Sequence, residues 1–175
     1  MSPRGCRPST DSGPPSGSPW ARSGQSRIVH LLTDSTTGLP RFLADVRRGS
    51  SGLLIGEYVA GSAMASIRDH ASSPASVQTI SISAGIEDDA SFASVAASRF
   101  SPAVASYRRL LAEELVCAVR TIRLRGAQLH GLLGEAFEAR AGLPNGMADR
   151  DVEPDFSAAD ALLDHPALVP AGSGP

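Results

Sequence analysis

The stretch "SPAVASYRRLLAEELVCAVRTIRLRG", residues 101–126, decides the fold class of this chain. Its apolar side chains recur at spacings of three and four, which is the period of one face of an α-helix. This stripe consists of Val104, Tyr107, Leu111, Leu115, Ala118 and Ile122. We predict a long amphipathic helix that stops at Gly126. Arg120, Arg123 and Arg125 crowd its last turns, where the helix dipole favours cations, and we expect them to form a solvated helix end.

The start of this helix has two interpretations. Ser101 and Pro102 suit an N-cap followed by a first-turn proline. Alternatively, Pro102 kinks one longer helix that begins near Asp89. On the solvent side, Arg109 and Glu113 are four residues apart, which predicts an exposed ion pair worth roughly 0.2–0.5 kcal/mol.

Shorter segments on either side continue the helical pattern. A small-residue helix, "SGLLIGEYVAGSAMASIRDH", follows Ser50 and Ser51, either of which is a candidate cap. Further apolar faces occur in "SRIVHLLTD", "AQLHGLLGEAFEARAG" and "PDFSAADALLDHP". The segment "SPASVQTISISAG" is different, because its apolar residues alternate with polar ones; it is either a short strand or an irregular loop.

These patterns predict an all-α protein, a bundle of long helices with a disordered N-terminal tail. Residues 1–26 are dominated by Gly, Pro and Ser and have no periodic apolar face, so we expect them to be disordered. Residues 27–165 form the helical module. Residues 166–175 form a second loose tail.

Composition excludes several classes of function. The 175 residues carry a net charge of -2, so no basic surplus indicates nucleic acid or an anionic membrane as a partner. No apolar run reaches the length of a membrane span, and the N-terminus lacks the apolar core of a signal peptide. The two cysteines, Cys6 and Cys117, do not indicate a disulfide framework. We expect a soluble cytoplasmic protein.

Few residues indicate chemistry by spacing alone. The histidines, His30, His70, His130 and His165, lie too far apart in sequence for metal-ligand spacing. The acidic run Glu87-Asp88-Asp89 is either the first turn of a helix, where carboxylates stabilise the free N–H groups, or a carboxylate held in an active site. Spacing alone favours the helix start.

The order of the segments resembles the C-terminal part of the histidine and aromatic amino acid ammonia-lyases and aminomutases. "SRIVHLLTDSTTGLPRFL" resembles the family's Arg-containing helix and Leu-Pro-x-Phe-Leu segment. "SGLLIGEYVAGSAMASIR" resembles the Ala-rich helix that follows. "PASVQTISISAGIEDDASFASVAASR" resembles the stretch that leads to the Gln-Glu-Asp motif. "LLAEELVCAVRTIRLRG" and "DRDVEPDFSAADALL" resemble the next long helix and the closing segment.

The resemblance implies a mainly α-helical, tetrameric enzyme that eliminates ammonia from histidine or an aromatic amino acid. Its electrophile is a methylidene-imidazolone group formed from an internal Ala-Ser-Gly. The Glu of the motif acts on the substrate's amino group, and this catalytic role falls on Glu87 alone. Asp88 and Asp89 keep the helix-start role.

Departures from the family pattern shape the functional expectation. No Ala-Ser-Gly occurs in these residues, so no cofactor arises from this chain. Ile86 stands where Gln or Asn is usual, and Pro102 interrupts the long helix. We expect a truncated lyase that is inactive alone. The alternative is a non-catalytic helical subunit that completes or regulates a lyase assembly, as a homo-oligomer or with a separate N-terminal half, or else a degenerate fragment. The resemblance gives conflicting indications of the substrate. Glu87 favours histidine, whereas "SIR" after "AMA" and "PASVQTIS" favour the tyrosine-type enzymes.

Overall fold

The computed structural model describes residues 19–71 and 93–164. Their regular structure is helical throughout, which confirms the all-α class. The helices are α1 (Pro19–Leu32), α2 (Asp34–Thr37), α3 (Leu54–Ala71), α4 (Ala93–Arg125), α5 (Gly131–Glu138) and α6 (Glu153–Leu162), with short 3-10 turns at Arg41–Leu43 and Val46–Arg48. The segment in which a strand was an alternative lies outside the described residues. None of the described helices is both long and apolar enough to cross a membrane.

Helix α4 is the central helix of the fold, and α3, α1 and α6 pack around it. It runs from Ala93 to Arg125 with Pro102 inside it, so the longer of the two predicted helices is the correct one. Pro102 is the tenth residue of α4, where its missing N–H removes the backbone hydrogen bond to the carbonyl four residues earlier.

The buried face of α4 is not the predicted apolar stripe. Its most buried side chains are small or polar as well as apolar, and they are Leu110, Ala112, Glu113, Val116, Cys117, Val119 and Thr121. The predicted stripe is only partly covered, and Val104 remains 38% exposed. Three helices surround α4, so its buried face is wide, and alanine, cysteine and threonine fit between closely approaching backbones.

The prediction of an exposed Arg109–Glu113 pair is therefore wrong. Glu113 is fully buried. Arg109 instead forms an ion pair with Glu153 at the start of α6, with Nη1 and Oε1 2.6 Å apart. The i, i+4 spacing would allow a pair, but in the folded chain Arg109 binds Glu153 and Glu113 lies in the core.

Helix α1 begins inside the segment predicted to be disordered. Residues 19–26 form its first two turns, and Ala21, Gly24, Ile28 and Leu32 lie on its buried face. Gly24 approaches so closely that an added Cβ would lie 3.1 Å from a methyl carbon of Leu110. Alanine and glycine carry almost no hydrophobic signal, which is why sequence reasoning missed this part of the helix. Residues 1–18 and 165–175 lie outside the described residues.

An ion pair joins α1 to the middle of α4. The guanidinium of Arg27 donates to both carboxylate oxygens of Glu114, at 2.5 Å from Nε and 2.8 Å from Nη2. This bidentate geometry fixes the position of α1 along α4 more firmly than a single contact between point charges would.

The loop before α3 is tied to a residue far along the chain. Ser50 and Ser51 do not cap α3 as predicted. The Oγ of Ser50 and the backbone N–H of Ser51 donate to Oδ1 of Asp149, at 2.7 and 2.9 Å. Gly52 adopts a φ of 61° beside them, and a side chain there would meet the carbonyl oxygen of Phe42 at 2.5 Å. Only glycine fits this position.

Candidate functional site

Glu87, the residue assigned a catalytic role by resemblance, lies in residues 72–92, outside the described residues. The structure does describe the two helices on either side of that segment. Gly56 lies against Glu113, and the Ser66 and Ser106 hydroxyls are hydrogen-bonded at 2.8 Å, so α3 and α4 run antiparallel. The end of α3 and the start of α4 therefore lie at the same end of the helix pair.

A groove of about 490 Å³ runs between α3 and α4 toward that end. Small and hydroxyl-bearing side chains line most of it, with one charged residue, Arg109: the others are Val59, Ser62, Ala63, Ser66, Ala105 and Ser106. Because most of these side chains are short, the groove is open, and its polar groups are three serine hydroxyls and the Arg109 guanidinium.

A second cleft, of about 330 Å³, lies between α4 and α6. Two arginines of α4 face it. Arg108 donates to Asp160 from Nε at 3.1 Å and to Asp164 from Nη1 at 2.8 Å. These bonds hold the pKa of the Asp164 carboxyl below its usual range.

Arg109 completes the wall of this cleft. It pairs with Glu153, lies over the Phe156 ring at 5.2 Å, and lowers the pKa of the Glu153 carboxyl through its hydrogen bond. Because both arginines already have carboxylate partners, the cleft fixes α6 on α4 and is not a ready anion site.

Glu113 is the most perturbed carboxyl in the described part of the chain. Neither of its oxygens has a hydrogen-bond partner among the protein atoms. Burial raises the pKa of Glu113 to about 8, against the opposing attraction of Arg109. Cys117, one turn further along α4, is a buried free thiol whose pKa is also raised by burial.

Helix α3 approaches Glu113 at a glycine. A Cβ on Gly56 would lie 2.6 Å from Oε1 of Glu113, so the carboxyl occupies space that a side chain would otherwise fill. Sequence reasoning missed this group. The only available signal is that Glu113 follows Leu110 by three residues and precedes Cys117 by four, and nothing local distinguishes it from its neighbour Glu114.

The arginines at the end of α4 are only partly in solvent, as Arg125 is exposed but Arg120 and Arg123 are half-buried. Arg123 donates to the carbonyls of Leu143 and Ala141, at 2.7 and 3.1 Å, and so anchors the segment after α5. Arg125 donates to the carbonyl of Thr37 at 2.7 Å. Arg120 turns inward, and its Nε and Nη2 are buried.

No metal centre is built from the described residues. Within residues 19–71 and 93–164, no group of three or more His, Cys, Asp or Glu side chains converges. Three of the four histidines, His30, His70 and His130, lie in those ranges. His165 lies outside them.

Comparisons with known proteins agree with the resemblance. The sequence profile of the aromatic amino acid lyase family matches residues 19–141. Histidine ammonia-lyase of Geobacillus thermodenitrificans is 35% identical over 151 residues, which are 85% of this chain and 30% of that enzyme. The enzyme of Streptomyces griseus is 38% identical over 155 residues, 84% of this chain and 30% of its own. The chain thus spans about 30% of the length of the curated relatives it matches.

Solved structures show the same relationship in three dimensions. Histidine ammonia-lyase from Trypanosoma cruzi superimposes with a TM-score of 0.77 at 26% identity, covering 85% of this chain and 30% of that one. Pantoea agglomerans phenylalanine aminomutase superimposes with a TM-score of 0.73 at 24% identity, covering 82% and 28%. The second likeness shows the fold alone. In each comparison the superimposed part is less than a third of the other chain, so this chain corresponds to one part of a longer fold.

Proposed function

Because the chain belongs to the aromatic amino acid lyase family, we propose that it forms the Glu87-bearing part of an ammonia-lyase that acts on histidine. The observation that carries the proposal is the extent of the match. Likeness to histidine ammonia-lyases covers 85% of the chain, so it extends over helices on both sides of the Glu87 segment. We favour histidine over tyrosine because the two relatives described above, at 35% and 38% identity, are both histidine ammonia-lyases.

The electrophile of the family does not fit these residues. A methylidene-imidazolone group is formed from Ala-Ser-Gly, and that tripeptide is absent from the 175 residues. Ser50-Ser51-Gly52, in the loop before α3, is not a substitute. Its backbone N–H and hydroxyl groups donate hydrogen bonds to the distant Asp149 carboxylate. We therefore propose that the chain has no turnover unless another polypeptide supplies this group.

The role proposed for Glu87 is to act on the amino group of the substrate. This role comes from the resemblance of "GIEDD" to the family's Gln-Glu-Asp motif. The antiparallel α3–α4 pair supports it, because the segment that carries Glu87 joins two helices anchored side by side. Asp88 and Asp89 are proposed to begin the next helix and not to contact substrate.

The test is reconstitution. The chain is purified and incubated with histidine, phenylalanine or tyrosine, alone and mixed with the part of the Geobacillus thermodenitrificans enzyme that precedes the matched region. Formation of the conjugated unsaturated acid is followed by ultraviolet absorbance. We expect no turnover by the chain alone and turnover of histidine in the mixture. A single-chain chimera, in which residues 19–164 replace the matched region of that enzyme, removes the need for association.

Matched variants separate Glu87 from its neighbours. Glu87→Gln should lower turnover by the chimera at least 100-fold, which corresponds to about 3 kcal/mol of transition-state stabilisation. Asp89→Asn should change it by only a few-fold. Turnover by the chain alone would refute the need for a second polypeptide, and a chimera indifferent to Glu87→Gln would refute the role of this carboxylate.

A second candidate function is a non-catalytic helical subunit that docks on a lyase. The observation in its favour is the exposure of large apolar side chains on three helices. Tyr58 of α3 is 69% exposed, Phe100 of α4 is 70% exposed and Leu132 of α5 is 85% exposed. Size-exclusion chromatography with light scattering tests it. A monodisperse monomer that also fails to bind the lyase part would rule out this role, whereas a stable complex without turnover would favour it.

A further inference from the structure

The outer face of the early turns of α4 is apolar and exposed. Phe100 is 70% exposed and Val104 is 38% exposed, and Ala97 and Ala105 beside them are exposed as well. Ala97, Phe100 and Val104 follow one another at spacings of three and four, so they lie along one side of the helix. From Phe100 to Tyr107 the sequence contains no charged residue. A contiguous apolar surface of this kind ordinarily marks a contact.

Helix α6 directs the chain toward this face. Near the start of α6, Asp155 lines the same small cavity as Val116 of α4. Beyond the end of α6, Asp164 binds Arg108 of α4. The chain therefore enters α6 beside the later turns of α4 and leaves it beside Arg108, one turn after Val104. On leaving α6 it is heading toward the start of α4.

An ion pair fixes the point at which the chain leaves α6. Arg108 donates from Nη1 to Oδ1 of Asp164 at 2.8 Å and from Nη2 to Oδ2 at 2.9 Å. Two parallel bonds of this kind set the orientation of the carboxylate as well as its position. Asp164 is the last described residue of the chain, so residues 165–175 start from a defined place on α4.

The sequence after Asp164 matches the face in composition and reach. It reads "HPALVPAGSGP", with Leu168 and Val169 between two prolines and with no Asp, Glu, Lys or Arg. Pro166 lacks the N–H that a continuing helix needs and disfavours the helical conformation of the residue before it, so the sequence favours an extended chain. Four extended residues advance about 13 Å, at about 3.3 Å per residue. Eight residues of α4, from Arg108 back to Phe100, span about 12 Å.

The covalent tether favours this segment over other occupants of the face. A segment attached beside its site is present at an effective concentration of roughly millimolar. A second copy of the chain, or another protein, has to meet the face from solution and lose its translational and rotational freedom.

We propose that residues 166–170 dock on the 97–104 face of α4, with Leu168 and Val169 against Phe100 and Val104. The segment covers a surface on which another polypeptide would otherwise pack, so a partner that docks there has to displace it. The inference does not depend on whether the protein takes part in ammonia elimination.

The first test is disulfide trapping in the full chain with Cys6→Ser, which leaves the buried Cys117 as the only native thiol. Val104→Cys combined with Leu168→Cys places one thiol on each side of the proposed contact. Val29→Cys combined with Leu168→Cys is the matched control, because Val29 on α1 is 42% exposed and Val104 is 38% exposed. In glutathione buffers, we expect the Val104 pair to close within one chain at an effective concentration about tenfold or more above that of the Val29 pair. Equal values for the two pairs would overturn the proposal.

The same experiment identifies a second copy as the occupant. Protein labelled with nitrogen-15 is mixed with unlabelled protein before oxidation, and mass spectrometry then resolves disulfides formed between two chains. We expect the Val104–Leu168 disulfide to form within single chains. Mixed-mass disulfides in place of this bond would overturn the proposal in favour of an interface between copies.

A second measurement needs no introduced thiol. Deletion of residues 166–175 should raise the fluorescence of the apolar dye anilinonaphthalene sulfonate about twofold or more, because the deletion uncovers Phe100 and Val104. Deletion of residues 171–175 alone, which keeps Leu168 and Val169, should leave the fluorescence unchanged. Val104→Ser in the chain that lacks residues 166–175 should reverse much of the gain. Equal fluorescence with and without residues 166–175 would overturn the proposal, since the face would then be open or covered by another part of the chain.

Discussion

Replacing Glu113 by Gln should make the protein more stable at neutral pH, although it alters a fully buried residue. The unfolded chain releases the Glu113 proton with the ordinary pKa of about 4.5, whereas burial raises the folded pKa to about 8. Between these two values, folding requires proton uptake, so stability is lost as pH rises. The slope is about 1.4 kcal/mol per pH unit, which gives a loss of about 3 kcal/mol by pH 7.

Below pH 4.5 the carboxyl is protonated in both states and the penalty is absent; above about 8 it is constant. Glu113→Gln has nearly the same shape and no titration, so it removes the pH-dependent part. Urea unfolding of both proteins at pH 5, 6, 7 and 8 measures the difference in free energy of unfolding. That difference should increase steadily across this range.

The neighbouring residue supplies a matched control. Glu114 is ion-paired with Arg27, so Glu114→Gln should destabilise the protein by about 1 kcal/mol, with no gain as pH rises. The reasoning is refuted if the difference between the unaltered chain and Glu113→Gln does not vary with pH, or if Glu113→Gln is the less stable protein at pH 7. Either result would mean that the carboxylate is ionised and has a partner.

Three further predictions concern other contacts. Gly56→Ala should destabilise the protein by about 1–3 kcal/mol in urea unfolding, because the added methyl group would lie 2.6 Å from the buried Glu113 carboxyl. Gly61→Ala, on the same helix with open space around it, should stabilise the protein by about 0.5–1 kcal/mol. Equal effects of the two substitutions would contradict this. Hydrogen bonds from the loop before α3 lower the pKa of Asp149, so the unaltered chain loses stability as pH falls below about 4, and Asp149→Asn should lose less over the same range. An unchanged acid-unfolding profile would count against it. In a Cys6→Ser variant, Cys117 should react with a thiol reagent only after unfolding, and rapid native labelling would show that α4 opens locally.

The fold class was predictable because it rests on a strong, long-range periodicity. A run of more than twenty residues with apolar side chains every three or four positions is a helix in almost any packing, and α4 is that helix. Family resemblance, which depends on the order of several weak segments, was also accessible from sequence. The assignment of Glu87 stays a prediction.

Which face of a helix is buried depends on the number and direction of its neighbours, and this was not predictable. Once α1, α3 and α6 surround α4, alanine, cysteine and even a glutamate become core residues. Glu113 and Arg120 were both expected in solvent, since charged side chains rarely become buried without a partner. The start of α1 was missed for the opposite reason, because Ala21 and Gly24 pack well yet carry little hydrophobicity.

The bond between Asp149 and the loop before α3 has a consequence for how the chain is made. Ser50 and Asp149 are 99 positions apart, so the ribosome synthesises all of α3 and α4 before the carboxylate that holds the start of α3 exists. Helices α1, α3 and α4 can associate as they emerge, but the turn at Gly52 has to wait. Contacts of such long sequence separation form late, which makes the closing segment the last step of folding and the first point of failure for a chain that stops early.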